Sequence, residues 1–254
     1  MDMKVKIIVQ VRVGSTRLPG KALLEIVNKP ALEHVLERVS RASSADDIIV
    51  ATTDNEQDNG IVEFCNKMKV KVFCGSEDDV LDRFYHAAYF FNAEDIVRIT
   101  ADCPLIDPEI IDKVVDCYFK NNADYCSNIL EETFPDGEDV EVFRFKTLKT
   151  SWSNARLLSE REHVTSYIIK HPEMFKLVNY KNDQDLSGKR WTLDTQEDFV
   201  FIKTIFENLY KENPCFNMKD ILTFIGNNRE LESINKNLKR NQGYLNSLEN
   251  DKEV

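Results

Sequence analysis

Short apolar segments alternate with helical ones through the first half of the chain, and this alternation limits the fold more than any other feature. Apolar, largely β-branched runs occupy residues 6–11, 48–52, 70–74 and 95–100. Segments with the apolar spacing of helices follow them, at residues 30–43, 56–68, 78–91 and 108–121. Strands separated by helices of this length predict an α/β fold with a doubly wound, mostly parallel sheet. In such sheets ligands bind at the carboxyl ends of the strands.

The pattern becomes mixed after about residue 128. Further strands are predicted at residues 139–145, 175–180 and 190–193, and helices at residues 146–156, 160–170 and 196–210. We therefore predict one domain over residues 1–226, with an α/β half up to about residue 128 and then a small mixed lobe. Residues 227–254 are rich in Asn, Lys and Glu, and predict a peripheral helix followed by a flexible tail.

Charge and apolar content exclude several classes of protein. The 254-residue chain has a formal net charge of −11, whereas nucleic-acid-binding surfaces are basic, so no nucleic-acid partner is expected. No apolar run has the length of a membrane span or of a secretory signal, which predicts a cytoplasmic protein without a membrane partner. The six cysteines are spread singly, as is typical of buried thiols in a reducing compartment.

A basic loop follows the first predicted strand, over residues 12–21. Gly14 and Ser15 allow backbone N–H groups to approach phosphate oxygens closely. The cations of the loop are Arg12, Arg17 and Lys21. Guanidinium groups bind phosphate through paired N–H groups and an ammonium adds a compact charge, so these side chains suit the charge on a leaving pyrophosphate. The alternative is a solvated basic turn.

This loop matches neither of the common glycine-rich phosphate motifs. A P-loop needs a glycine where Ser15 stands and a hydroxyl where Ala22 stands, and that hydroxyl normally contacts Mg²⁺. The dinucleotide pattern needs a second glycine where Thr16 stands. A metal ion would therefore be held by residues elsewhere in the chain.

Aspartates at the ends of predicted strands are the candidates for a metal site. Asp102 follows the strand at residues 95–100, and Asp194 follows the strand at residues 190–193. Mg²⁺ typically takes one or two protein carboxylates and completes its shell with water and phosphate oxygens. Each aspartate also has an alternative structural role as a helix N-cap.

Five motifs occur in order within residues 4–206. They are VRVGSTRLPGK at residues 11–21, GSEDDVLDR at 75–83, RITADCPLID at 98–107, SEREHVT at 159–165 and RWTLDT at 190–195. Together they resemble the cytidylyltransferases that activate acidic sugars, including the 3-deoxy-manno-octulosonate and acylneuraminate cytidylyltransferases. The SpsF-type branch of spore-coat polysaccharide synthesis is the nearer likeness.

The resemblance implies a GT-A-like, Rossmann-type nucleotidyltransferase fold, CTP as the nucleotide, Mg²⁺ as the cofactor, an anionic sugar-type acceptor and a homodimer. The half up to about residue 128 is then expected to bind the nucleotide, and the mixed lobe at about residues 129–226 to provide the acceptor and dimer contacts. The resemblance assigns the metal to Asp102 and Asp194. It implies a catalytic set of Arg12, Arg17, Lys21 and Asp102. One position departs from the pattern, because Ala101 stands where the family commonly has glycine, and this leaves slightly less room beside the nucleotide.

Further residues are expected to contact the two substrates. The nucleotide-binding candidates are Val11, Arg12, Gly14, Ser15, Thr52, Thr53, Asp54, Ser76, Val80, Arg83 and Thr100. Arg83 is a candidate donor to a cytosine carbonyl, or alternatively an exposed helix cation paired with Asp79. The acceptor-binding candidates are Glu141, Arg161, Glu162 and His163. Arg161 would bind an acidic group and His163 would orient or deprotonate a hydroxyl. A capping box formed by residues 159 and 162 is the structural alternative.

The predicted function is attack by an acceptor oxygen on the α-phosphorus of CTP, with release of pyrophosphate. A glycosyltransferase of the same architecture is a second possibility, but it would need an Asp-x-Asp motif, and Thr100 occupies the first position. A nucleotide-binding regulator without turnover is a third, and the complete set of basic and acidic site residues argues against it.

Overall fold

A computed structural model of the chain describes residues 4–253. The strands among these residues are β1 (Val5–Gln10), β2 (Glu25–Ile26), β3 (Lys29–Pro30), β4 (Ala45–Thr53), β5 (Lys71–Gly75), β6 (Asp95–Thr100), β7 (Tyr125–Ser127), β8 (Glu141–Arg144) and β9 (Leu177–Asn179). The α-helices are α1 (Ala31–Val39), α2 (Asn59–Met68), α3 (Val80–Phe90), α4 (Pro108–Asn121), α5 (Phe145–Asn154), α6 (Leu158–Glu162), α7 (Ser166–Lys170), α8 (Gln196–Leu209), α9 (Met218–Asn227) and α10 (Gln242–Glu249). No helix in this described part of the chain is long and apolar enough to cross a membrane.

Seven strands form one sheet in the order β5-β4-β1-β6-β8-β7-β9. The first four run parallel, and β8 joins β6 in the antiparallel sense. β7 is antiparallel to β8 and parallel to β9. Helices α1, α2 and α4 cover one face, and α3, α5 and α7 cover the other. The predicted doubly wound, mostly parallel α/β fold is confirmed.

The position of β1 explains where a ligand can bind. Ile7, Ile8 and Val9 have no exposed area, because Ile7 and Val9 pack against α1 and α4 while Ile8 packs against α3. The chain adds β4 and β5 on one side of β1 and then crosses to add β6 on the other. This reversal opens a crevice at the carboxyl ends of β1 and β6, where open α/β sheets bind ligands.

The strand predicted at residues 190–193 is not part of the sheet. The Trp191 N–H donates to the Asp136 carbonyl oxygen at 2.6 Å, and the Leu193 N–H donates to the Asp102 carbonyl oxygen at 2.7 Å. The segment is extended, but it bonds to two different loops instead of to one neighbouring strand. Its apolar residues are buried for another reason, since they pack with α8 and α9 in a third apolar cluster.

The helix predicted at residues 160–170 is interrupted. It divides into α6 and α7, and Val164 between them has a φ of 50°, in the left-handed region. This conformation is unfavourable for a β-branched residue, and Val164 keeps it within a fully buried apolar cluster. The break turns His163 and Thr165 toward the crevice described above.

Several short elements were not predicted. β7 is three residues long, too short to show a pattern, and the hairpin of β2 and β3 has two residues in each strand. Helix α9 and its partner α8 form most of the third apolar cluster. The segment after residue 227, predicted to be peripheral, packs through α10 against α6 beside the crevice.

Candidate active site

A cavity of about 700 Å³ occupies the crevice at the carboxyl ends of β1 and β6. Its walls come from the loop after β1, the loop after β6, the segment before α8, the corner between α6 and α7, and the start of α10. The predicted site residues that line it are Val11, Arg12, Gly14, Ser15, Arg17, Lys21, Arg83, Thr100, Asp102, Glu141, Glu162, His163 and Asp194. One cavity therefore holds the basic loop of residues 12–21, called the phosphate loop below, together with both aspartates and part of the predicted acceptor set.

Other predicted site residues do not line this cavity: Thr52, Thr53, Asp54, Ser76, Val80 and Arg161. Thr52 and Thr53 are buried at the end of β4, and Val80 is buried in α3. The Ser76 hydroxyl accepts from the Asp79 N–H at 3.0 Å, so its partner is the backbone at the start of α3.

Asp58 fixes the start of the phosphate loop, although the sequence did not single it out. Its carboxylate accepts from the Val13 N–H at 2.7 Å and from the hydroxyls of Thr52 and Thr53. Asp58 is 1% exposed, so these hydrogen bonds take the place of the water molecules that a carboxylate loses when it is buried. The two threonines predicted to bind the base therefore hold the loop through Asp58.

The end of the phosphate loop is shaped by Gly20. Its φ of 71° lies in the left-handed region that favours glycine, and its N–H donates to the Val13 carbonyl oxygen at 3.1 Å. A short 3₁₀ helix, Lys21–Leu23, begins immediately after it. The turn closes the loop on itself and directs the Lys21 side chain into the cavity.

Lys21 joins the two aspartates that were assigned to the metal. Its Nζ lies 2.8 Å from Asp102 Oδ2 and 2.5 Å from Asp194 Oδ1. Arg17 Nη2 lies 2.8 Å from the other Asp194 oxygen, Oδ2. The phosphate loop and the two strand-end carboxylates thus form one charged cluster.

The cluster changes the pKa values of its members. Burial raises the pKa of Asp102, but the positive charge of Lys21 outweighs burial and lowers it to about 2. Burial likewise opposes the charge on Lys21, and the two carboxylates raise its pKa above the usual value. Lys21 and Asp102 are therefore both charged over the physiological pH range.

Backbone contacts place Asp194 beside Asp102. The Asp102 carbonyl oxygen accepts from the Leu193 N–H at 2.7 Å and from the Thr192 hydroxyl at 3.3 Å. The N-cap alternative for Asp194 is wrong, because Thr195 caps α8 by accepting from the Asp198 N–H at 3.3 Å. The side chain of Asp194 is therefore free to face the cavity.

Arg190 holds the segment before α8 from beneath. Its Nε and Nη2 both lie 2.9 Å from the Asp198 carboxylate, and its Nη1 lies 2.8 Å from Asp136. Nη2 also lies 3.5 Å from Asp194 Oδ2. A planar guanidinium that forms paired bonds to a carboxylate fixes orientation as well as distance, so Arg190 fixes Asp198, which in turn accepts from the Asp194 N–H at 3.1 Å.

Gly137 allows the loop before β8 to approach the same segment. Its φ is 106°, and a Cβ atom built on it would lie 2.6 Å from the Trp191 carbonyl carbon and 2.8 Å from the Thr192 nitrogen. Such distances do not occur for real Cβ atoms, and both contacts are to backbone. Any larger residue here would push Trp191 and Thr192 away, and Asp194 with them.

Arg83 is a buried cation in the wall of the cavity, and not the exposed helix cation of the alternative interpretation. It is 1% exposed, its Nη1 donates to the Ser76 carbonyl oxygen at 2.9 Å, and its Nε has no partner among residues 4–253. Burial, and then the nearby charge of Arg12, lower its pKa to about 10, so it stays protonated. A buried donor without a partner suits a ligand oxygen.

Glu141 and His163 were predicted to bind the acceptor, and the part of the cavity that they line is called the acceptor side below. The Glu141 carboxylate accepts from the hydroxyls of Tyr125, at 2.7 Å, and Thr165, at 2.5 Å, and pairs with Arg98. The Nε2 atom of His163 lies 2.9 Å from the Ser247 hydroxyl of α10. Burial lowers the pKa of His163, so the neutral imidazole, which can accept a proton, predominates at neutral pH.

Arg161 does not reach the acceptor side. Its Nε donates to Asp79 Oδ2 at 2.9 Å, its Nη2 contacts the same oxygen, and its Nη1 donates to the Trp152 carbonyl oxygen at 2.8 Å. The proposed capping box also fails, because α6 begins at Leu158 and Glu160 accepts from the backbone before it. Arg161 thus ties α6 to α3.

Comparison with known proteins identifies the family. The sequence matches the cytidylyltransferase family over residues 6–249. The chain belongs to this family. This cytidylyltransferase is 43% identical over 244 residues to an uncharacterised protein of Methanocaldococcus jannaschii, covering 94% of this chain and 97% of that one. It is 29% identical over 237 residues to the spore coat polysaccharide biosynthesis protein SpsF of Bacillus subtilis, covering 87% and 93% of the two chains. The structure of a cytidylyltransferase from Leptospira borgpetersenii matches it with a TM-score of 0.86 at 36% identity, covering 93% and 98% of the chains.

Family membership decides among the three functions that the sequence left open. A cytidylyltransferase is a nucleotidyltransferase, so that prediction and the SpsF-type resemblance are confirmed. The glycosyltransferase and the regulator without turnover are not supported. The matched range ends at the last residue of α10, so it includes most of residues 227–254, which were predicted to form a peripheral helix and a flexible tail.

Several cavity residues lie outside the predicted site. They are Arg98, Ser166, Asn241, Gln242, Tyr244 and Asn246. Asp136 and Asp139 also line the cavity, and they stand in a run of carboxylates that suits either contacts with sugar hydroxyls or a solvated turn. Burial raises the pKa of Asp136 to about 6 and that of Asp139 to about 7, against the charge of Arg240. Residues 241–248 are distinguished in the sequence only by their lack of charged side chains.

Proposed function

We propose that this cytidylyltransferase transfers CMP from CTP to an acidic sugar in a Mg²⁺-dependent reaction that releases pyrophosphate. The arrangement around Lys21 is the observation that carries the proposal, because its ammonium contacts Asp102 and Asp194 in a cavity that Arg12 and Arg17 also line. Three cations suit a triphosphate, and two carboxylates suit a hard divalent cation. Their convergence supports nucleotidyl transfer over the binding of a lone anion.

In the proposed reaction, an acceptor hydroxyl oxygen attacks the α-phosphorus of CTP. The bond between that phosphorus and the oxygen that bridges to the β-phosphate breaks, and pyrophosphate leaves with the electron pair. The cations of the phosphate loop stabilise the charge on the leaving group, and the cavity holds the two substrates in line. The hydroxyl proton passes to His163 or to water.

A covalent intermediate on the enzyme is not part of the proposal. Cys103 lines the cavity, but it is 2% exposed, and burial raises the pKa of its thiol well above the usual value. The thiolate that would act as a nucleophile is therefore disfavoured. Direct transfer between the substrates needs no such group.

Asp102 and Asp194 fit a magnesium ion by their chemistry. Their oxygens lie 2.8 Å and 2.5 Å from Lys21 Nζ, so the two carboxylates already share the positive charge of Lys21. In the described residues, no group of three or more His, Cys, Asp or Glu could hold a metal alone. An ion here would complete its shell with phosphate and water, which Mg²⁺ prefers. When bound, Mg²⁺ would supply a Lewis acid that polarises the phosphate oxygens.

An acidic acceptor is supported by the charge of the cavity and by the motif resemblance. Arg161, predicted to bind the acidic group, is committed to Asp79. Arg17, with 41% of its side chain exposed, adds to the positive charge of the cavity, but it belongs to the loop that we assign to the triphosphate.

The proposed function is tested by an assay of pyrophosphate release. The protein is incubated with CTP, Mg²⁺ and a panel of acidic sugars and sugar phosphates, and the nucleotide product is identified by its mass. We expect pyrophosphate release that requires both the acceptor and CTP. The mass of the product should equal the mass of the acceptor plus that of CMP, minus one water. Release without an acceptor, or no release with any acceptor of the panel, would contradict the proposal.

We also propose that the protein is a homodimer, as the motif resemblance implies. Tyr89 and Phe90 at the end of α3 are 65% and 67% exposed, and such aromatic side chains are enriched in protein interfaces. Sedimentation equilibrium should give twice the mass of the 29.5 kDa chain. A single species at the mass of one chain, across the micromolar range, would exclude the dimer.

A further inference from the structure

The C-terminal segment forms one wall of the cavity. The residues of this segment that line it are Asn241, Gln242, Gly243, Tyr244 and Asn246. The Tyr244 ring packs edge-on against His163 with its centroid 4.9 Å away, and its hydroxyl lies 3.4 Å from the Ser166 hydroxyl. The wall therefore stands on the acceptor side of the cavity.

Anchors on both sides hold this wall in place. Before it, Arg240 donates to the Phe134 carbonyl oxygen at 3.1 Å and to the Asp139 carboxylate at 2.7 Å. After it, the Asp251 carboxylate accepts from the Ser159 N–H at 3.0 Å and from the Ser159 hydroxyl at 2.6 Å. The segment is thus bonded to the loop before β8 at one end and to α6 at the other.

A contact between α10 and the acceptor-side histidine adds to this arrangement. The Ser247 hydroxyl donates to Glu162 at 2.7 Å and lies 2.9 Å from the Nε2 atom of His163. Glu162 and His163 both line the cavity, and so do the residues of α10 one turn earlier. A molecule that reaches His163 must therefore also meet the C-terminal wall.

The chemistry of the wall differs from that of the phosphate loop. Residues 241–248 carry no charged side chain, whereas 30% of the residues in the chain are charged. Side-chain amides both donate and accept hydrogen bonds, and an aromatic ring offers an apolar face. Ile129 and Ile169 line the same cavity. A wall of this kind suits neutral polar groups and not the phosphates.

We infer that residues 241–246 form the subsite that binds the neutral hydroxyl or acylamino groups of the acidic sugar. This inference rests on the proposed function, and it assigns acceptor recognition to a segment that follows all five sequence motifs. The phosphate loop binds the charged groups, and Gln242 and Asn246 bind the neutral end of the acceptor. The wall thereby determines which acidic sugar is used.

The test removes the two amides without disturbing the anchors. Gln242 Nε2 donates to Asn246 Oδ1 at 3.1 Å in the exposed first turn of α10, so the variant Gln242→Ala/Asn246→Ala breaks no core contact. N-Acetylneuraminate and 3-deoxy-manno-octulosonate are the probes, with CTP and Mg²⁺, and pyrophosphate release is measured. The matched control is Asn250→Ala, an exposed amide just after α10 that donates only to the Asn246 carbonyl oxygen.

We expect the double variant to raise KM for the acidic sugar at least tenfold, equivalent to about 1.4 kcal/mol, with KM for CTP changed less than twofold. Asn250→Ala should change neither value. An unchanged acceptor KM in the double variant, an equal rise in both KM values, or the same rise in the control would overturn the inference and leave the proposed function standing. If the wild-type protein forms no CMP adduct with either acid, the proposed function fails for them, and the inference fails with it.

Discussion

Replacing Lys21 by methionine should destabilise the metal-free protein by an amount that depends on pH. Methionine keeps the apolar stem of the side chain and removes the charge that Asp102 and Asp194 share. Lys21 and Asp102 have side chains that are 15% and 25% exposed, so solvent screens the pair only in part. The variant therefore leaves Asp102 without its cation, while Asp194 keeps its contacts with Arg17 and Arg190.

The size of the effect follows from the pKa of Asp102. Burial alone would raise it, but Lys21 lowers it from 3.8 to about 2. A difference of this size between the folded and unfolded chains corresponds to roughly 2 kcal/mol of stability. The variant loses this amount and also carries the uncompensated burial of the carboxylate, so we expect a loss of about 2–3 kcal/mol at pH 7.

The sign of the pH dependence follows from the same shift. A carboxylate whose folded pKa is lowered contributes stability that is present above its unfolded pKa, here 3.8, and is lost as the pH falls through about 2. The raised pKa of Lys21 gives a contribution that is complete below 10.5 and is lost at higher pH. The difference between wild type and variant should be constant near neutrality and shrink below about pH 4.

Urea unfolding in EDTA, followed by the fluorescence of Trp152 and Trp191, measures this difference at several pH values. The matched control is Lys113→Met, because Lys113 is 55% exposed and lies 3.9 Å from Glu109 on the surface of α4. An exposed pair of this kind contributes at most about 1 kcal/mol. If Lys21→Met matches the control, or if its deficit stays the same down to pH 3, the reasoning about the charged cluster is refuted.

Three further variants test other parts of the site. Asp102→Asn should lower turnover by roughly 10²–10³ while CTP binding by calorimetry falls less than tenfold, and unchanged turnover would remove Asp102 from the metal site. Arg17→Ala should weaken CTP binding more than CMP binding, and equal effects on both would place Arg17 away from the outer phosphates. Gly137→Ala should cost about 1–3 kcal/mol in a thermal melt and also lower turnover, because a Cβ there would meet the backbone of Trp191. Gly188→Ala, where a Cβ would meet nothing within 4 Å, is its control, and equal melting temperatures for the two variants would contradict the packing argument.

The parts of the fold that the sequence predicts are those with strong local patterns. The β-branched runs of β1 and β6 predict buried parallel strands, and the rule for parallel sheets then places the loops after them together. This reasoning locates Lys21 and Asp102 in one cavity, and the structure shows their ion pair. The apolar patterns of two short strands are therefore sufficient to predict that Lys21 and Asp102 share a cavity.

The parts that the sequence does not predict depend on contacts that no local pattern reveals. Thr53 ends β4, where a ligand-binding residue would stand, but its hydroxyl bonds to Asp58. Arg161 lies in a family motif, yet its partner is Asp79, a residue 82 positions earlier. The C-terminal segment has few apolar residues, so no periodicity reveals that polar bonds from Arg240 and other residues dock it beside the cavity.

The most direct test of the account follows the two ends of CTP separately. Parallel reactions with CTP labelled at the α-phosphorus or at the γ-phosphorus are run with an acidic sugar acceptor and Mg²⁺. We predict that the α label appears in the sugar-linked nucleotide and the γ label in pyrophosphate, in equal amounts. Recovery of the γ label as inorganic phosphate, or of the α label as free CMP or CDP without a sugar adduct, would contradict the assignment of Arg12, Arg17, Lys21, Asp102 and Asp194 to nucleotidyl transfer.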